Sequence, residues 1–315
     1  MNQLIAIVGP TAIGKSRLAV YLASRYNGEI VNADSRQVYR FMDIGTAKPG
    51  PEDLALVPHH LINIINPDED FSLAQYRQLA NSAIKDIQKR ERLPILVGGS
   101  GQYVWSILEN WGLPGVPPDK ELRRKMQEKA EREGTHVLYQ ELKMVDPEAA
   151  RDIDPANLRR IIRALEVYRL TNVPFSQLRR KKEPEYRAMI IGLTTDRETL
   201  YRRIDARVNR MLETRLLSEI EGLVNMGYGF ELPAMSSIGY KQIGMYLKGE
   251  TTLSAAIQQT KFETHRFARQ QYTWFKLNDE RIGWFNIHGE GVEKKIMASS
   301  SHFLENTSRP QRLLR

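Results

Sequence analysis

A phosphate-binding motif lies close to the N-terminus of the chain. Residues 9–16 match the pattern G-x-x-x-x-G-K-[ST] completely, after an apolar run at 4–8 and before a helical pattern. In this order a strand aims the loop, glycines let the backbone amides curl round an anion, and the helix N-terminus adds its positive dipole end. Lys15 can reach an outer phosphate and the Ser16 hydroxyl can bind Mg²⁺. The sequence therefore predicts a site for a pyrophosphate-like group, formed by Gly9, Pro10, Thr11, Ala12, Ile13, Gly14, Lys15 and Ser16.

A carboxylate, Asp34, follows the second apolar run, at residues 28–33. P-loop enzymes that hydrolyse a nucleotide usually hold Mg²⁺ with an acidic residue beyond the loop. Here the apolar run at 95–97 ends in Gly-Gly-Ser instead. Ligands of parallel α/β sheets collect at the carboxyl ends of the strands, so we expect Asp34 to face the phosphate loop and to take a proton from an acceptor. The alternatives are that Asp34 caps a turn or binds Mg²⁺ through water.

The composition excludes several other classes of protein. The 315 residues include no Cys, which excludes disulfides, thiolate metal sites and thiol catalysis. The six His residues show no H-E-x-x-H spacing. Residues 1–8 are too short for a secretory apolar region, and no apolar stretch approaches the ~20 residues that span a bilayer. We therefore predict a soluble cytoplasmic protein with no membrane partner.

The net charge is strongly positive. It amounts to +8, with a pI near 9.5, which favours a polyanionic partner, although ordinary surface lysines and arginines would give the same value. Basic clusters occur at 179–182 and, mixed with aromatic residues, at 261–275. A helix is predicted to begin at Pro155, after Asp154, with an apolar stripe formed by Leu158, Ile161, Ile162, Leu165 and Tyr168. The opposite face of this helix carries Arg159, Arg160 and Arg163, which suit phosphate contacts.

Apolar runs and helical patterns alternate along much of the chain. Strands are predicted at 4–8, 28–33, 61–65, 94–99, 189–193 and 283–287, and helices at 15–26 and from 72 to about 92, where Ser72 opens a capping box. This alternation predicts an α/β fold, a P-loop-type parallel sheet flanked by helices. A charged helical stretch without strand patterns predicts a helical insertion domain. The predicted divisions are 1–116 and 187–289 for the core, 117–186 for the insertion, and 290–315 for a terminal helix and basic tail.

An ordered set of motifs resembles one known family. The motifs are G-P-T-A-I-G-K-S, N-A-D-S-R-Q-V-Y, H-H-L, G-G-S-G-Q-Y, L-R-R-I-I-R-A-L-E-V, S-I-G-Y-K-Q and R-Q-Q-Y-T-W-F. Together they resemble the bacterial tRNA dimethylallyltransferases (tRNA isopentenyltransferases), from residue 4 to about 285. Small departures include Ser16 and Ser100 where Thr is common, Gln102 for Leu, and Arg215 for Gly. None of these removes a group that the family's chemistry needs.

The resemblance implies a reaction. The loop would bind the pyrophosphate of dimethylallyl diphosphate, and the acceptor would be the exocyclic amine of the adenine 3′-adjacent to the anticodon in a tRNA stem-loop. Asp34 would accept the amine proton, and Thr11 would contact the bridging oxygen of the leaving group. Arg207, Lys15, Ser16 and Mg²⁺ would neutralise the diphosphate. The positions that match tRNA-contacting residues are Asp34, Ser35, Arg36, Gln37, Ser100, Arg123, Leu158, Arg159, Arg160, Ile161, Ile162 and Arg163.

Three other functions remain open at this point. A small-molecule kinase could use the same loop for ATP and the insertion as a lid, but it would lack the second acidic strand end. A non-catalytic RNA-binding protein would leave the loop and Asp34 unexplained. A transferase acting on free adenine nucleotides would not need the long basic insertion. We expect the chain to act as a monomer.

Overall fold

The computed structural model describes residues 2–179 and 181–306. The chain divides into two compact units. One, here called the core unit, contains residues up to 108 and from 185 onwards; the other, the insertion unit, contains residues 109–184. No helix in the described ranges has the length and apolar character that a bilayer crossing requires.

A sheet of six parallel strands forms the centre of the core unit. The strands are β1 Gln3–Val8, β2 Gly28–Asn32, β3 His59–His60, β4 Leu93–Val97, β5 Arg187–Thr194 and β6 Ile282–Asn286. They lie in the order β3-β2-β4-β1-β5-β6, and all neighbours are parallel. Every residue of β1 is buried, since a strand between two layers of helices packs on both faces. This explains the uninterrupted apolar run that the sequence shows there.

Most of the predicted strands are confirmed, and each observed end lies within two residues of the predicted one. The strand predicted at 61–65 is wrong. Leu61 and Asn63 have φ angles of 65° and 57°, a left-handed conformation that breaks an extended strand. The short strand lies just before them, at β3, and Ile65 forms only an isolated bridge with Tyr39.

Helices surround the sheet. Those before the insertion are α1 Lys15–Arg25, α2 Pro51–Leu56, α3 Leu73–Lys89 and α4 Gly101–Leu108. The predicted capping box of α3 is confirmed: the Ser72 hydroxyl accepts from Gln75 N at 3.2 Å, and Ser72 N donates to the Gln75 side chain at 2.9 Å. Because α1 begins at Lys15, within the phosphate motif, its N-terminus lies at the loop.

Five helices form the insertion unit. They are α5 Lys120–Glu133, α6 Thr135–Val145, α7 Pro147–Asp152, α8 Leu158–Thr171 and α9 Phe175–Leu178. The unit is longer at its N-terminal side than the predicted segment 117–186, because Trp111 bridges to Lys181 and the Asn110 amide donates to Glu183 O. The prediction that Asp154-Pro155 starts α8 is wrong, since Asn157 caps the helix by accepting from Arg160 N.

The remaining helices complete the core unit. They are α10 Arg197–Glu213, α11 Leu216–Asn225, α12 Tyr240–Leu247, α13 Leu253–Trp274 and α14 Val292–Glu305, with a 3₁₀ turn at Ala234–Ser236. Helices α1, α10 and α14 pack against the sheet in one apolar cluster, through side chains such as Leu22, Ile204 and Ile296. A second cluster, centred on Tyr240 and Met42, supports the segment after β2. The predicted tail beyond 306 lies outside the described residues.

Candidate active site

The phosphate loop follows β1 and leads into α1. Gly9 and Gly14 have φ angles of 135° and 106°, which favour glycine. A Cβ on Gly9 would also lie 2.5 Å from Leu193 O in β5, so the glycine allows the loop to pass close to the sheet. Ala12 also has a positive φ, of 63°. The backbone thus adopts the tight path that the motif predicts.

Side chains from two distant helices hold the loop. From α10, Arg203 Nε donates to Ala12 O at 2.9 Å, and Arg207 Nη1 donates to the Thr11 hydroxyl at 3.1 Å. From α13, Gln271 accepts from Thr11 N at 2.7 Å. The expected proximity of Arg207 to the loop is therefore observed, whereas the roles of Arg203 and Gln271 were missed. Arg203 lies one helical turn before Arg207 and Gln271 belongs to the R-Q-Q-Y-T-W-F motif, but neither position in the sequence indicates a contact with the loop.

Lys15 has an unusual electrostatic environment. Its Nζ donates to Gly9 O at 2.9 Å and to Pro10 O at 2.7 Å. Burial lowers the pKa of Lys15 to about 7, partly opposed by the negative charge of Asp34 and assisted by the positive charge of Arg207. A lysine with a pKa near neutrality gains a proton when an anion approaches. Lys15 can therefore adjust its charge to that of a bound phosphate.

Asp34 lies just beyond β2 and is half-buried. Its Oδ1 accepts from Arg36 N at 2.8 Å. One carboxylate oxygen therefore caps a turn, which is one of the two alternatives to a role in proton transfer. Asn32 fixes the same segment: its side chain accepts from Asp34 N at 3.1 Å and donates to Leu61 O at 3.0 Å. The turn therefore holds the carboxylate in place, and capping by one oxygen does not exclude proton transfer by the other.

Two cavities meet at the loop. The larger, of about 650 Å³, has the size of typical small-ligand pockets, and its wall contains the cations Lys15, Arg17, Lys48, Arg203, Arg207 and Arg210. The smaller, of about 70 Å³, is lined by polar groups that include Thr11, Asn32, Asp34, Gln37, His59 and Gln271. Both cavities share Lys15, Ser16 and Arg207 in their walls. A phosphate bound at this shared wall would therefore lie at the boundary with the cavity that contains Asp34.

Oxygen donors that suit a magnesium ion line the two cavities at the loop. Among residues 2–179 and 181–306, no three His, Asp or Glu side chains come together as metal ligands. Ser16 lines both cavities and Asp34 lines the smaller one; a hydroxyl and a carboxylate are both hard oxygen donors. Mg²⁺ in phosphate sites commonly takes one or two protein ligands and completes its shell with phosphate oxygens and water. These residues fit that arrangement, with Ser16 as the expected protein ligand.

The other predicted residues of the core unit surround Asp34. Ser35 N donates to the Ser100 hydroxyl at 3.0 Å, which in turn contacts the Ser35 hydroxyl at 3.2 Å. Gln37 Nε2 donates to Thr46 O and Ala47 O, at 3.1 Å each, and Arg36 Nη1 donates to Pro233 O at 3.1 Å. Ser35 and Ser100 thus join the ends of β2 and β4.

One acidic residue in this region was missed. The Glu219 carboxylate accepts from three successive backbone amides, Asp43 N at 2.9 Å, Ile44 N at 2.7 Å and Gly45 N at 3.2 Å, and from Tyr240 Oη at 2.5 Å. These bonds shape the segment that lines the larger cavity beside Lys48. Tyr240 belongs to the S-I-G-Y-K-Q motif, but nothing in the sequence pointed to Glu219.

Two arginines of the insertion unit have a structural partner. The Glu166 side chain is fully buried. It accepts from Arg123 at 2.7 and 2.8 Å and from Arg163 at 2.5 Å, and Arg163 also donates to Val116 O at 2.9 Å. Burial raises the pKa of Glu166, but the hydrogen bonds from the two arginines outweigh it, and the pKa is lowered. Arg163 is therefore bonded within its own unit, and its predicted contact with tRNA stays a prediction.

The rest of the predicted α8 residues divide into two groups. Ile161 and Ile162 are buried, with 0% and 7% of their surface exposed, in the apolar cluster of the insertion unit. Their side chains pack against other helices, and their assignment as tRNA contacts stays a prediction. Arg159 and Arg160 are exposed, and Leu158 is half-buried. In the basic run at 179–182, position 180 lies outside the described residues.

Comparison with known proteins identifies the family. The IPP transferase family profile matches residues 37–278. A tRNA dimethylallyltransferase of Roseiflexus castenholzii is 52% identical over 88% of this chain and 90% of its own length, and one of Dehalococcoides mccartyi is 49% identical over 96% and 93%.

Solved structures agree with this result. The tRNA isopentenylpyrophosphate transferase of Bacillus halodurans superposes with a TM-score of 0.72 at 40% identity, covering 97% of each chain. A eukaryotic dimethylallyltransferase acting on tRNA superposes with a TM-score of 0.84 at 27% identity, covering 99% of this chain and 82% of that one. The expected fold class, a P-loop-type sheet flanked by helices, is confirmed. With these relatives and the profile match, the chain belongs to the IPP transferase family.

Proposed function

We propose that this protein transfers a dimethylallyl group from dimethylallyl diphosphate to the exocyclic amine of the adenine 3′-adjacent to the anticodon in tRNA, and releases pyrophosphate. The observation that carries the proposal is the pair of cavities: a cationic one at the phosphate loop adjoins a polar one that contains Asp34. Relatives about 50% identical over most of the chain are tRNA dimethylallyltransferases, which supports the same acceptor here.

The mechanism follows from the placement of charge. The amine nitrogen forms a bond to the allylic carbon, and the bond from this carbon to the diphosphate oxygen breaks. Lys15, Arg203 and Arg207 stabilise the negative charge that collects on the departing pyrophosphate. In this proposal the Thr11 hydroxyl, which accepts from Arg207, contacts the bridging oxygen. Asp34 accepts the proton that the amine loses.

Magnesium would assist the departure of the leaving group. The Ser16 hydroxyl would hold the ion, which would supply positive charge against the phosphate oxygens. The adenine must leave its stack to reach the cavity, because the reacting amine is not accessible within a stacked loop. We propose that Asp34 and Gln37 in the smaller cavity, with Ser35, Arg36 and Ser100 beside it, hold the extruded base. The expectation that the chain acts as a monomer stays a prediction.

A donor assay tests the function against the kinase alternative. We expect prenylated tRNA to form from dimethylallyl diphosphate, tRNA and Mg²⁺ without ATP, because β4 ends in Gly98-Gly99-Ser100 and not in the acidic residue that would serve nucleotide hydrolysis. Each donor is supplied alone, and the mass added to tRNA or AMP is followed by mass spectrometry. Phosphate transfer from ATP without prenyl transfer would establish the kinase, and prenylation of AMP alone would establish a nucleotide-modifying enzyme.

Exposed arginines on α8 provide a test of tRNA binding by the insertion unit. Arg160→Ala should weaken tRNA binding and lower the slope of log K against log salt by about one unit, the value expected for one lost phosphate contact. Arg160 is exposed, whereas Arg163 is bonded to buried Glu166. Arg163→Ala is therefore the matched comparison for Arg160→Ala. Its main expected effect is a lower thermal stability of the insertion unit.

The measurement is a salt titration of tRNA affinity for both variants, with melting curves beside it. Pyrophosphate affinity should not change in Arg160→Ala. An unchanged salt slope in Arg160→Ala would mean that this face of α8 is only solvated.

A further inference from the structure

Gln271 is a buried polar residue that the mechanism above does not use. It lies near the end of α13, with 4% of its surface exposed. Its Oε1 accepts from Thr11 N at 2.7 Å, and its Nε2 donates to Gly99 O at 3.1 Å. A reversed amide would place two donors together at Thr11 and two acceptors together at Gly99, so only one orientation satisfies both partners.

The surrounding backbone leaves space for this amide. A Cβ on Gly99 would lie 2.0 Å from Gln271 Nε2, so the glycine is needed for the contact. The bond to Gln271 also occupies the Thr11 amide, which is therefore unavailable to a phosphate. The Thr11 hydroxyl in turn accepts from Arg207. The amide and the hydroxyl of Thr11 are therefore both bonded to side chains that are remote in sequence.

The two hydrogen bonds connect the two halves of the site. On one side is the loop that binds the leaving group. On the other is the end of β4, which reaches the Asp34 segment directly: Ser100 N donates to Ala33 O at 3.2 Å and the Ser100 hydroxyl accepts from Ser35 N at 3.0 Å. Gln271 thus lies between the residue expected at the bridging oxygen and the residue expected to take the proton.

We propose that Gln271 is a positioning residue, which fixes Thr11 and the leaving group relative to Asp34 through its paired hydrogen bonds to Thr11 N and Gly99 O. The inference rests on the proposed prenyl transfer. A shift of the phosphate loop relative to the Asp34 segment would misalign the catalytic base Asp34, the acceptor amine and the leaving group. Misplacement by about 1 Å costs on the order of 10²-fold in rate, while the cations that bind the diphosphate would remain.

The first test replaces Gln271 with methionine, an apolar side chain of similar shape that can make neither hydrogen bond. Gln271→Met should lower kcat for tRNA prenylation by roughly 10- to 100-fold, with little change in KM for dimethylallyl diphosphate or in pyrophosphate affinity. Gln259→Met is the matched control, because Gln259 is an exposed glutamine on the same helix. It should behave as the wild type.

The second test uses a carboxyl group whose protonation can be varied. In Gln271→Glu, a protonated acid can donate to Gly99 O and accept from Thr11 N, whereas the ionised form has only acceptors. The ratio of the variant's kcat to that of the wild type should therefore rise as the pH falls. The corresponding ratio for Gln271→Met should not depend on pH. Dividing by the wild-type rate removes the pH dependence that the variant shares with the wild type.

The outcomes separate this inference from the proposed function. If the wild type forms no prenylated tRNA, the proposed function fails. If the wild type is active, wild-type kcat in folded Gln271→Met or a pH-independent ratio for Gln271→Glu overturns the positioning role. If Gln271→Met does not fold, the pH ratio of Gln271→Glu decides, and failure of both variants to fold would make Gln271 a purely structural residue.

Discussion

Replacing Asp34 with alanine is expected to lower the turnover of tRNA prenylation by about 10²- to 10⁴-fold, the usual contribution of a general base. The affinity for tRNA should be nearly unchanged, because the residue contributes one side chain to a large interface. The reason is the position of the carboxylate at the end of β2, in the wall of a cavity shared with Thr11 and Lys15. Single-turnover rates and tRNA affinity, measured on the same preparations, check the prediction.

The asparagine variant separates catalysis from turn capping. One Asp34 oxygen accepts from Arg36 N at 2.8 Å, and an asparagine oxygen can make the same bond but cannot take a proton. Asp34→Asn should therefore keep wild-type stability and lose turnover nearly as completely as Asp34→Ala. Near-normal turnover in Asp34→Asn would show that the side chain serves only as a cap.

The parts of the fold and site that could be predicted from sequence are those fixed by local constraints. The loop at 9–16 needs glycines at positive φ, and β1 and β4 are buried on both faces, so each leaves a continuous signal in the sequence. Ser72 marks the start of α3 through a contact only three residues away. In each case the physical requirement acts within a few residues of the chain.

The parts that could not be predicted depend on contacts between distant segments. Gln271 meets Thr11 across 260 residues, and Glu219 meets Gly45 across 174. The spacing in α8 correctly predicts an apolar stripe, but it cannot tell that Arg163 bonds to a buried Glu166 on the same helix. That carboxylate is buried because Arg123, 43 residues away, also pairs with it. Side chains that hold a site together from elsewhere in the chain leave no periodic signal.

Lys15→Ala is expected to lower the turnover by roughly 10²- to 10³-fold, similar to the loss of one donor to a developing oxyanion. The affinity for dimethylallyl diphosphate should fall much less. The contact is charge-assisted, and it strengthens as the bond to the allylic carbon breaks and charge collects on the pyrophosphate. Rates and dissociation constants measured for the same variant separate the two effects. Equal losses in both would mean that Lys15 contributes only to ground-state binding.

The lowered pKa of Lys15 gives this prediction a second, independent readout. Burial lowers the pKa to about 7 in the protein alone, and a bound pyrophosphate would raise it again. Above pH 7 most free protein then carries a neutral Lys15, while the complex carries a charged one. Binding must therefore take up a proton, and pyrophosphate affinity must decrease as the pH rises through this range.

Calorimetry in two buffers of different ionisation enthalpy at pH 8 measures the proton uptake. Wild-type protein should take up protons beyond those that the ligand itself binds, and Lys15→Ala should not. Lys15→Arg is the matched variant, because a guanidinium stays protonated throughout this range: it should also lose the uptake, yet retain more activity than alanine. The same proton uptake in wild type and Lys15→Ala would place the titrating group elsewhere and remove the link between the buried lysine and the departing pyrophosphate.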